Sequence, residues 1–235
     1  MIAHSELRER VLEANRALVD AGLVTLTFGN ASAADRSAGV IAIKPSGVPY
    51  DELGPESMVV VDLASGEVLD GAFRPSSDTP THLVLYQRFP AVGGVAHTHS
   101  PSATAWAQAG REIPCFGTTH ADHFHGSIPV TRDLTSEEIS GDYEARTGEV
   151  IVETIEGLEL NPLAIPAVLV RSHGPFAWGT DVANAVANAT ALEAVASIAL
   201  SSVALVPELP PIARELLERH FSRKHGPGAY YGQPR

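Results

Sequence analysis

Apolar positions recur at helical spacing near the start of the chain, where Leu7, Val11, Leu12, Ala14 and Leu18 fall on one side of a helix over 5–18. Ser5 supplies an N-cap for it and Gly22 a stop. β-rich runs follow at 23–28, 40–43 and 58–63, separated by clusters of Gly, Pro, Asp and Ser. The spacing predicts a second helix over 77–89, begun at Pro80, with Leu83, Tyr86 and Phe89 on one side. A strand over 95–99 then runs into a third helix opened by Pro101, and Thr135 with Glu138 form a capping box before a helix toward Gly148. A strand at 165–170 and helices over 183–206 and 211–223 close the pattern.

Strands and helices interleave, yet many connections are too short for repeated parallel crossovers. The pattern therefore predicts an α/β layered fold with a mixed or largely antiparallel sheet. No repeat, low-complexity tract or linker divides the chain, so 1–235 is expected to form a single domain.

Composition narrows the function. With 28 acidic against 16 basic side chains the formal charge is -12, which argues against nucleic acid as a partner, because phosphate backbones need a basic surface. Any anionic substrate must be held by a local pocket that works against the overall field. The lone Cys115 excludes an intramolecular disulfide framework and any CxxC motif, and points to a reducing, cytoplasmic setting. The charged first residues do not read as a secretory signal. The most apolar stretch, 194–206, is shorter than a bilayer crossing needs. A soluble protein with no membrane partner is expected.

Histidines cluster: His82, His97, His99, His120, His123 and His125 all fall between 82 and 125. On a strand, side chains repeat every second residue, so His97 and His99 are expected on one face, where two imidazoles can occupy adjacent corners of a metal polyhedron. Two hydrogen-bonded turn histidines would give the same spacing. His173 follows another predicted strand, and His120, His123 and His125 are competing donors. The residues alone leave open which three bind a metal.

Two loops have the make-up of an anion site. Lys44, Ser46 and Gly47 put a cation, a hydroxyl and a flexible backbone after a strand. Ser76 and Ser77 put hydroxyls and free N–H groups at a helix start, where the macrodipole favours negative charge. Gly29 and Asn30 can approach the same ligand. Each segment is also ordinary turn chemistry; that both lie near the histidine region in sequence favours function. The sequence has no G-x-G-x-x-G, no G-x-x-x-x-G-K-[ST], no H-E-x-x-H and no G-x-S-x-G. Nicotinamide, P-loop, zincin and serine-hydrolase chemistries therefore lose their usual support.

Taken together, VLEAN (11–15), LVTLTFGN (23–30), IKPSGV (43–48), PSSDTPTH (75–82), HTHS (97–100), GTTHAD (117–122), SHGPFAWG (172–179) and RKHG with AYYGQ near the end resemble the L-ribulose-5-phosphate 4-epimerases of the class II aldolase/adducin superfamily. H-T-H-S marks only the superfamily; the Asp of P-S-S-D-T-P-T-H, G-T-T-H-A-D and the terminal Y-Y-G-Q are specific to the epimerases. Phe28 stands where the family's T-W-G-N has Trp. The likeness covers essentially the whole chain.

The resemblance implies a three-layer α/β/α fold with a central, largely antiparallel sheet, and a homotetramer with active sites between subunits. It implies that His97, His99 and His173 bind zinc or another divalent cation, with Asp78 as a further, weaker ligand. Gly29, Asn30, Ser46, Gly47, Ser76 and Ser77 would hold a phosphorylated ketopentose, largely by its phosphate, with Lys44 supplying charge. Asp122 and Tyr231 would be the acid/base pair, and His120, His123 and His125 become supporting groups. The C4 hydrogen is not α to the C2 carbonyl, so C4 cannot be inverted by simple proton removal. Breaking C3–C4 in a retro-aldol step, with the metal as Lewis acid, solves this. The retained glycolaldehyde phosphate then turns over its aldehyde face and recombines. The C4 oxygen points opposite ways in the two epimers, so one acid/base is needed on each face.

Two alternatives share these motifs. A fuculose-phosphate-type aldolase would release the fragments, but those enzymes carry Glu where Asp78 stands. An adducin-like assembly module would use the fold without catalysis, and the retained histidines and anion loops argue against it.

Overall fold

A computed structural model describes residues 3–230 of the protein. Its helices are α1 (Ser5–Asp20), α2 (Thr79–Arg88), α3 (Pro101–Ala109), α4 (Thr118–Ala121), α5 (Ser136–Ser140), α6 (Tyr143–Gly157), α7 (Val182–Leu205) and α8 (Arg214–His225). Its strands are β1 (Asn30–Asp35), β2 (Val40–Ile43), β3 (Val59–Asp62), β4 (Val68–Asp70), β5 (Gly94–His97), β6 (Ala167–Val170) and β7 (Gly174–Gly179). The strands form one sheet in the order β4-β3-β2-β1-β5-β7-β6, and every neighbouring pair is antiparallel.

Strand alternation sorts the core onto the two faces of this sheet. One face presents Ala31, Ala33, Ala42, Ala96, Ala167 and Ala177 to α1, α3 and α7. Small strand side chains let those helices close onto the sheet. The other face presents Ile41, Ile43, Val59, Val61, Val168, Val170, Phe176 and Trp178, covered by Leu83, Leu85 and Tyr86 of α2, Phe89 just beyond it, and Ile151, Val152 and Ile155 of α6. The result is the α/β/α layering expected, with a fully antiparallel sheet.

Several local expectations are corrected. Residues 23–28 are not a strand: Leu26 has φ 54 and Phe28 N–H donates to Thr25 O at 3.0 Å, which makes a turn. The strand begins later, as β1. Its sequence, NASAAD, has little intrinsic preference for a strand, and its central position overrides that. Asn15 of α1 reinforces it, donating to Ala31 O at 3.0 Å and accepting from Ala31 N–H at 2.9 Å. β5 ends at His97, so His99 lies beyond the strand. The Thr135–Glu138 capping box forms, but the helix breaks at Gly141 and resumes as α6. β4, α4 and β7 have no counterpart in the sequence pattern; the glycines and proline of GPFAWG hide β7. All but the last residue of the apolar stretch 194–206 belongs to the longer α7, whose 24 residues suffice by length and composition to cross a membrane. Its inner side packs on β5 and β7, where Asn188 donates to Trp178 O at 2.8 Å.

Candidate active site

β5 ends where β1 begins, with Asn30 paired in register to His97. A cavity of about 300 Å³ opens there. Its lining brings together Gly29, Asn30, Lys44, Ser46, Gly47, Ser76, Ser77, Asp78, His97, His99 and His173, with Thr27, Phe28 and Pro45 completing the wall. Every expected phosphate-binding and metal-ligating residue is therefore in one place.

The three imidazoles form a set whose donor atoms all lie within 4.8 Å of one another. His97 is buried, its ring stacked on Phe176 at 4.1 Å. His97 Nδ1–H donates to Pro175 O at 2.9 Å, because a carbonyl can only accept. That bond fixes the tautomer and leaves the Nε2 lone pair free for a cation. His97 Nε2 lies 3.1 Å from His99 Nε2; two zinc-bound nitrogens at tetrahedral angles are separated by about 3.3 Å. His173 follows Ser172, whose φ is 62, and its buried Nδ1 has no protein hydrogen-bond partner. Burial, then the neighbouring His97 imidazole, pulls His173 down to about 4, and the same two causes lower His99. Neutral imidazoles at neutral pH are what a metal needs. The donor set fits a divalent cation.

Asp78 stands at the N-cap of α2, yet its side chain caps nothing. Its Oδ2 instead accepts from Asn30 Nδ2 at 2.7 Å and lies 3.9 Å from His97 Nε2. Burial opposes ionisation of Asp78, but His97, His82 and the Asn30 bond outweigh it and hold the carboxyl below its usual range.

The two hydroxyl-bearing loops are stitched into one wall. Ser46 N–H donates to Arg74 O and Ser76 N–H to Lys44 O, each at 3.0 Å, with Pro45 and Pro75 bridged antiparallel. Lys44 is buried, donates to Val48 O at 3.0 Å and lies 4.7 Å from the Tyr50 ring centroid. Desolvation draws its ammonium down to about 8. Tyr50, which no sequence motif singles out, donates to Gly29 O at 2.8 Å and so ties the glycine turn to the lysine. Gly29 has φ 84, and a Cβ there would meet His97 O at 2.8 Å.

Asp122 does not line this cavity. It follows α4 and is held by α8: Arg223 Nε donates to Oδ1 at 2.9 Å and Nη2 to Oδ2 at 2.6 Å, with His220 Nδ1 at 3.1 Å from Oδ1. Burial of the carboxyl is outweighed by these contacts, which lower its pKa. Tyr231 lies outside the described residues. His120 pairs with Gly126 O at 2.8 Å, His125 with Glu218 at 3.0 Å and His123 with Lys224 at 3.4 Å; none of the three lines the cavity.

Residues 9–200 match the family described as class II aldolase and adducin N-terminal domain. L-ribulose-5-phosphate 4-epimerases of Salmonella paratyphi C and Salmonella typhi are each 55% identical over 228 residues, covering 97% of this chain and 99% of theirs. Among solved structures, an L-fuculose 1-phosphate aldolase superposes with a TM-score of 0.79 at 24% identity, covering 94% of this chain and 97% of its own. The L-fuculose-1-phosphate aldolase of Thermus thermophilus gives 0.67 at 22% identity, covering 89% and 100%. At these identities the two structures share the fold. From the family match across most of the chain and the near-full-length identity to its members, this protein belongs to the class II aldolase and adducin family.

Proposed function

We infer that the chain is an L-ribulose-5-phosphate 4-epimerase, interconverting L-ribulose 5-phosphate and D-xylulose 5-phosphate by cleaving and re-forming C3–C4. The observation that carries this is one cavity joining a three-imidazole donor set to a wall of hydroxyls, backbone amides and a buried lysine, in a chain 55% identical to epimerases of that name. His97, His99 and His173, with Asp78 beside them, hold a divalent cation, and the nitrogen-rich donor set suits zinc. Bound there, the cation supplies Lewis-acid polarisation of the sugar's carbonyl.

The chain's own residues do the rest. Ser46, Gly47, Ser76 and Ser77 grip the phosphate, and Lys44 neutralises it inside an otherwise acidic protein. A fragment held by its phosphate keeps its position while its aldehyde turns over. Asn30 orients the Asp78 carboxylate toward the imidazoles and away from the reacting carbon. That retracted position favours epimerisation over the aldolase reading, in which a longer Glu acts as base.

Asp122 and Tyr231 supply the proton on opposite faces of the aldehyde, and they do so from a neighbouring subunit. Asp122 lies away from its own chain's cavity, held ready by Arg223 and His220. The outer side of α7 leaves Ile198 53% and Leu205 84% exposed in the isolated chain, which suits a subunit contact. A homotetramer with sites between subunits accounts for both. Its lone Cys115 is buried and pushed up to about 11 by desolvation, an inert thiol suited to the cytoplasm.

Purified protein incubated with L-ribulose 5-phosphate, with and without a chelator, tests the reading. Metal-dependent D-xylulose 5-phosphate with little free glycolaldehyde phosphate is expected. Accumulating fragments would make the protein an aldolase, and no turnover after zinc repletion would leave an assembly module.

A further inference from the structure

Lys44 carries its charge into the wall of the cavity with little to balance it. Its Nζ donates to Val48 O at 3.0 Å and to Pro45 O at 3.3 Å, both carbonyls of its own loop. No carboxylate among the described residues forms an ion pair with it, and burial is the cause of its lowered pKa. What it does have is a ring. Nζ stands over the face of Tyr50, 4.7 Å from the centroid, where the ring quadrupole attracts a cation.

Tyr50 opens a turn of 3-10 helix, Tyr50–Glu52, and is buried in the core cluster with Val11, Ala31 and Leu53. Its ring is therefore a fixed platform. Its hydroxyl lies 2.8 Å from Gly29 O and 3.1 Å from Phe28 O. Carbonyls only accept, so the phenol keeps its proton, and burial favours the same neutral form. In a trans peptide the C=O and N–H point to opposite sides, so holding Phe28 O turns the Gly29 N–H away from Tyr50. Gly29 and Lys44 both line the cavity, and one side chain touches both. The titratable groups on its other walls are Asp78, His97, His99 and His173; Asp51, Glu52 and Arg74, near Tyr50 and Lys44 in sequence, are exposed.

We propose that Tyr50 is a positioning residue for the anion end of the cavity: its ring face supports the Lys44 ammonium in the charged form, and its hydroxyl pins the Gly29 turn beside it. This rests on the reading that Lys44 neutralises the substrate's phosphate.

NMR of the full chain with lysine labelled at Cε tests it. The chain's lysines are Lys44 and Lys224, and Lys44→Met assigns the two signals. Wild type alone gives the first readout: the ring current of Tyr50 is expected to move the Lys44 ε-protons upfield of their position in the denatured chain, and an unshifted signal overturns the proposal. The second is the titration of Lys44. Its midpoint, about 8 in wild type, is expected to stay in Tyr50→Phe, which keeps the ring, and to fall by about one pH unit in Tyr50→Leu. The third is binding of inorganic sulfate, a dianion whose charge is constant over this range, followed on the Lys44 signal. Tyr50→Phe is expected to bind it about threefold more weakly than wild type through loss of the turn's hydrogen bond, and Tyr50→Leu more weakly still. A wild-type midpoint in folded Tyr50→Leu, or wild-type sulfate affinity in Tyr50→Phe, overturns the proposal. A wild-type Lys44 signal that sulfate does not move overturns the phosphate reading, and the proposal with it.

Discussion

Asn30 Nδ2 donates to Asp78 Oδ2 at 2.7 Å, and the same oxygen lies 3.9 Å from His97 Nε2. Asn30 pairs with His97 across β1 and β5, so sheet register sets the Asn30 amide beside the His97 imidazole, and the amide's bond to Asp78 adds the N-cap of α2 to the pair. Removing the amide leaves the carboxylate free to turn toward solvent or its own helix. Asn30→Ala is expected to weaken zinc binding about tenfold, and Asp78→Asn by about as much or more, since both loosen or remove a ligand. Chelator competition measures this; unchanged affinity in both would remove Asp78 from the coordination shell.

Asp122 is predicted to matter for turnover and not for the metal. Its carboxylate is bound by Arg223 and His220 and does not line its own chain's cavity. Asp122→Asn is expected to lower kcat by about 10²- to 10⁴-fold, the usual contribution of a positioned acid/base, with zinc content unchanged. Loss of bound zinc in this variant would contradict the assignment.

Lys44 gives a pH signature. Desolvation draws it down to about 8, so in the free enzyme its charge fades as pH rises through that value. A phosphate dianion needs that charge for binding. KM is expected to rise above about pH 8 while kcat changes less, and Lys44→Met is expected to raise KM throughout and abolish the rise. A KM indifferent to pH between about 7 and 9 would show that Lys44 does not meet the substrate.

Much of the site is legible without the fold. Chemistry-bearing residue types are visible wherever they stand, so Lys44, Ser46, Ser76 and the histidines can be singled out; the choice of His97, His99 and His173, and Asp78 beside them, comes from the resemblance, and all of these converge on one cavity. Strand alternation explains the His97–His99 pair only in part: β5 ends at His97, and His99 reaches its neighbour from the turn that follows. Elements set by tertiary context are not legible. β1 is half alanine, and β7 is bracketed by glycines; both are strands because their neighbours pair with them. Tyr50 carries no motif, and its ties to Gly29 and Lys44 exist only once β2 and the 29–30 turn meet.

Buried histidines make the metal-free fold acid-sensitive. Burial holds His82 at about 3 and His120 at about 4, against 6.5 for an unfolded histidine. Below about pH 6.5 the unfolded chain therefore binds more protons than the native one, so stability is present above that pH and is lost as pH falls toward the folded values. The unfolding temperature of metal-free protein is expected to be flat near neutrality and to fall steadily below about pH 6.5. A flat profile down to about pH 4 would mean that these imidazoles titrate normally in the fold.

Gly29 is where backbone and chemistry meet most closely. Its φ of 84 lies in the left-handed region, and an added Cβ would stand 2.8 Å from His97 O. Alanine there must adopt an unfavourable backbone conformation and must also displace the end of β5, which carries His97. The backbone term is of order 1–3 kcal/mol. The displacement acts on the ligand itself, since His97 is held by its stack on Phe176 and its bond to Pro175. Gly29→Ala is therefore expected to lower the unfolding temperature and to weaken zinc binding in the same variant. The two effects separate on comparison with Gly47→Ala. Gly47 also has a positive φ, of 69, but no atom lies within 4 Å of its added Cβ. That variant is expected to lose stability and keep its zinc affinity. Equal zinc affinity in the two variants would mean that the His97 backbone can shift without disturbing the imidazole.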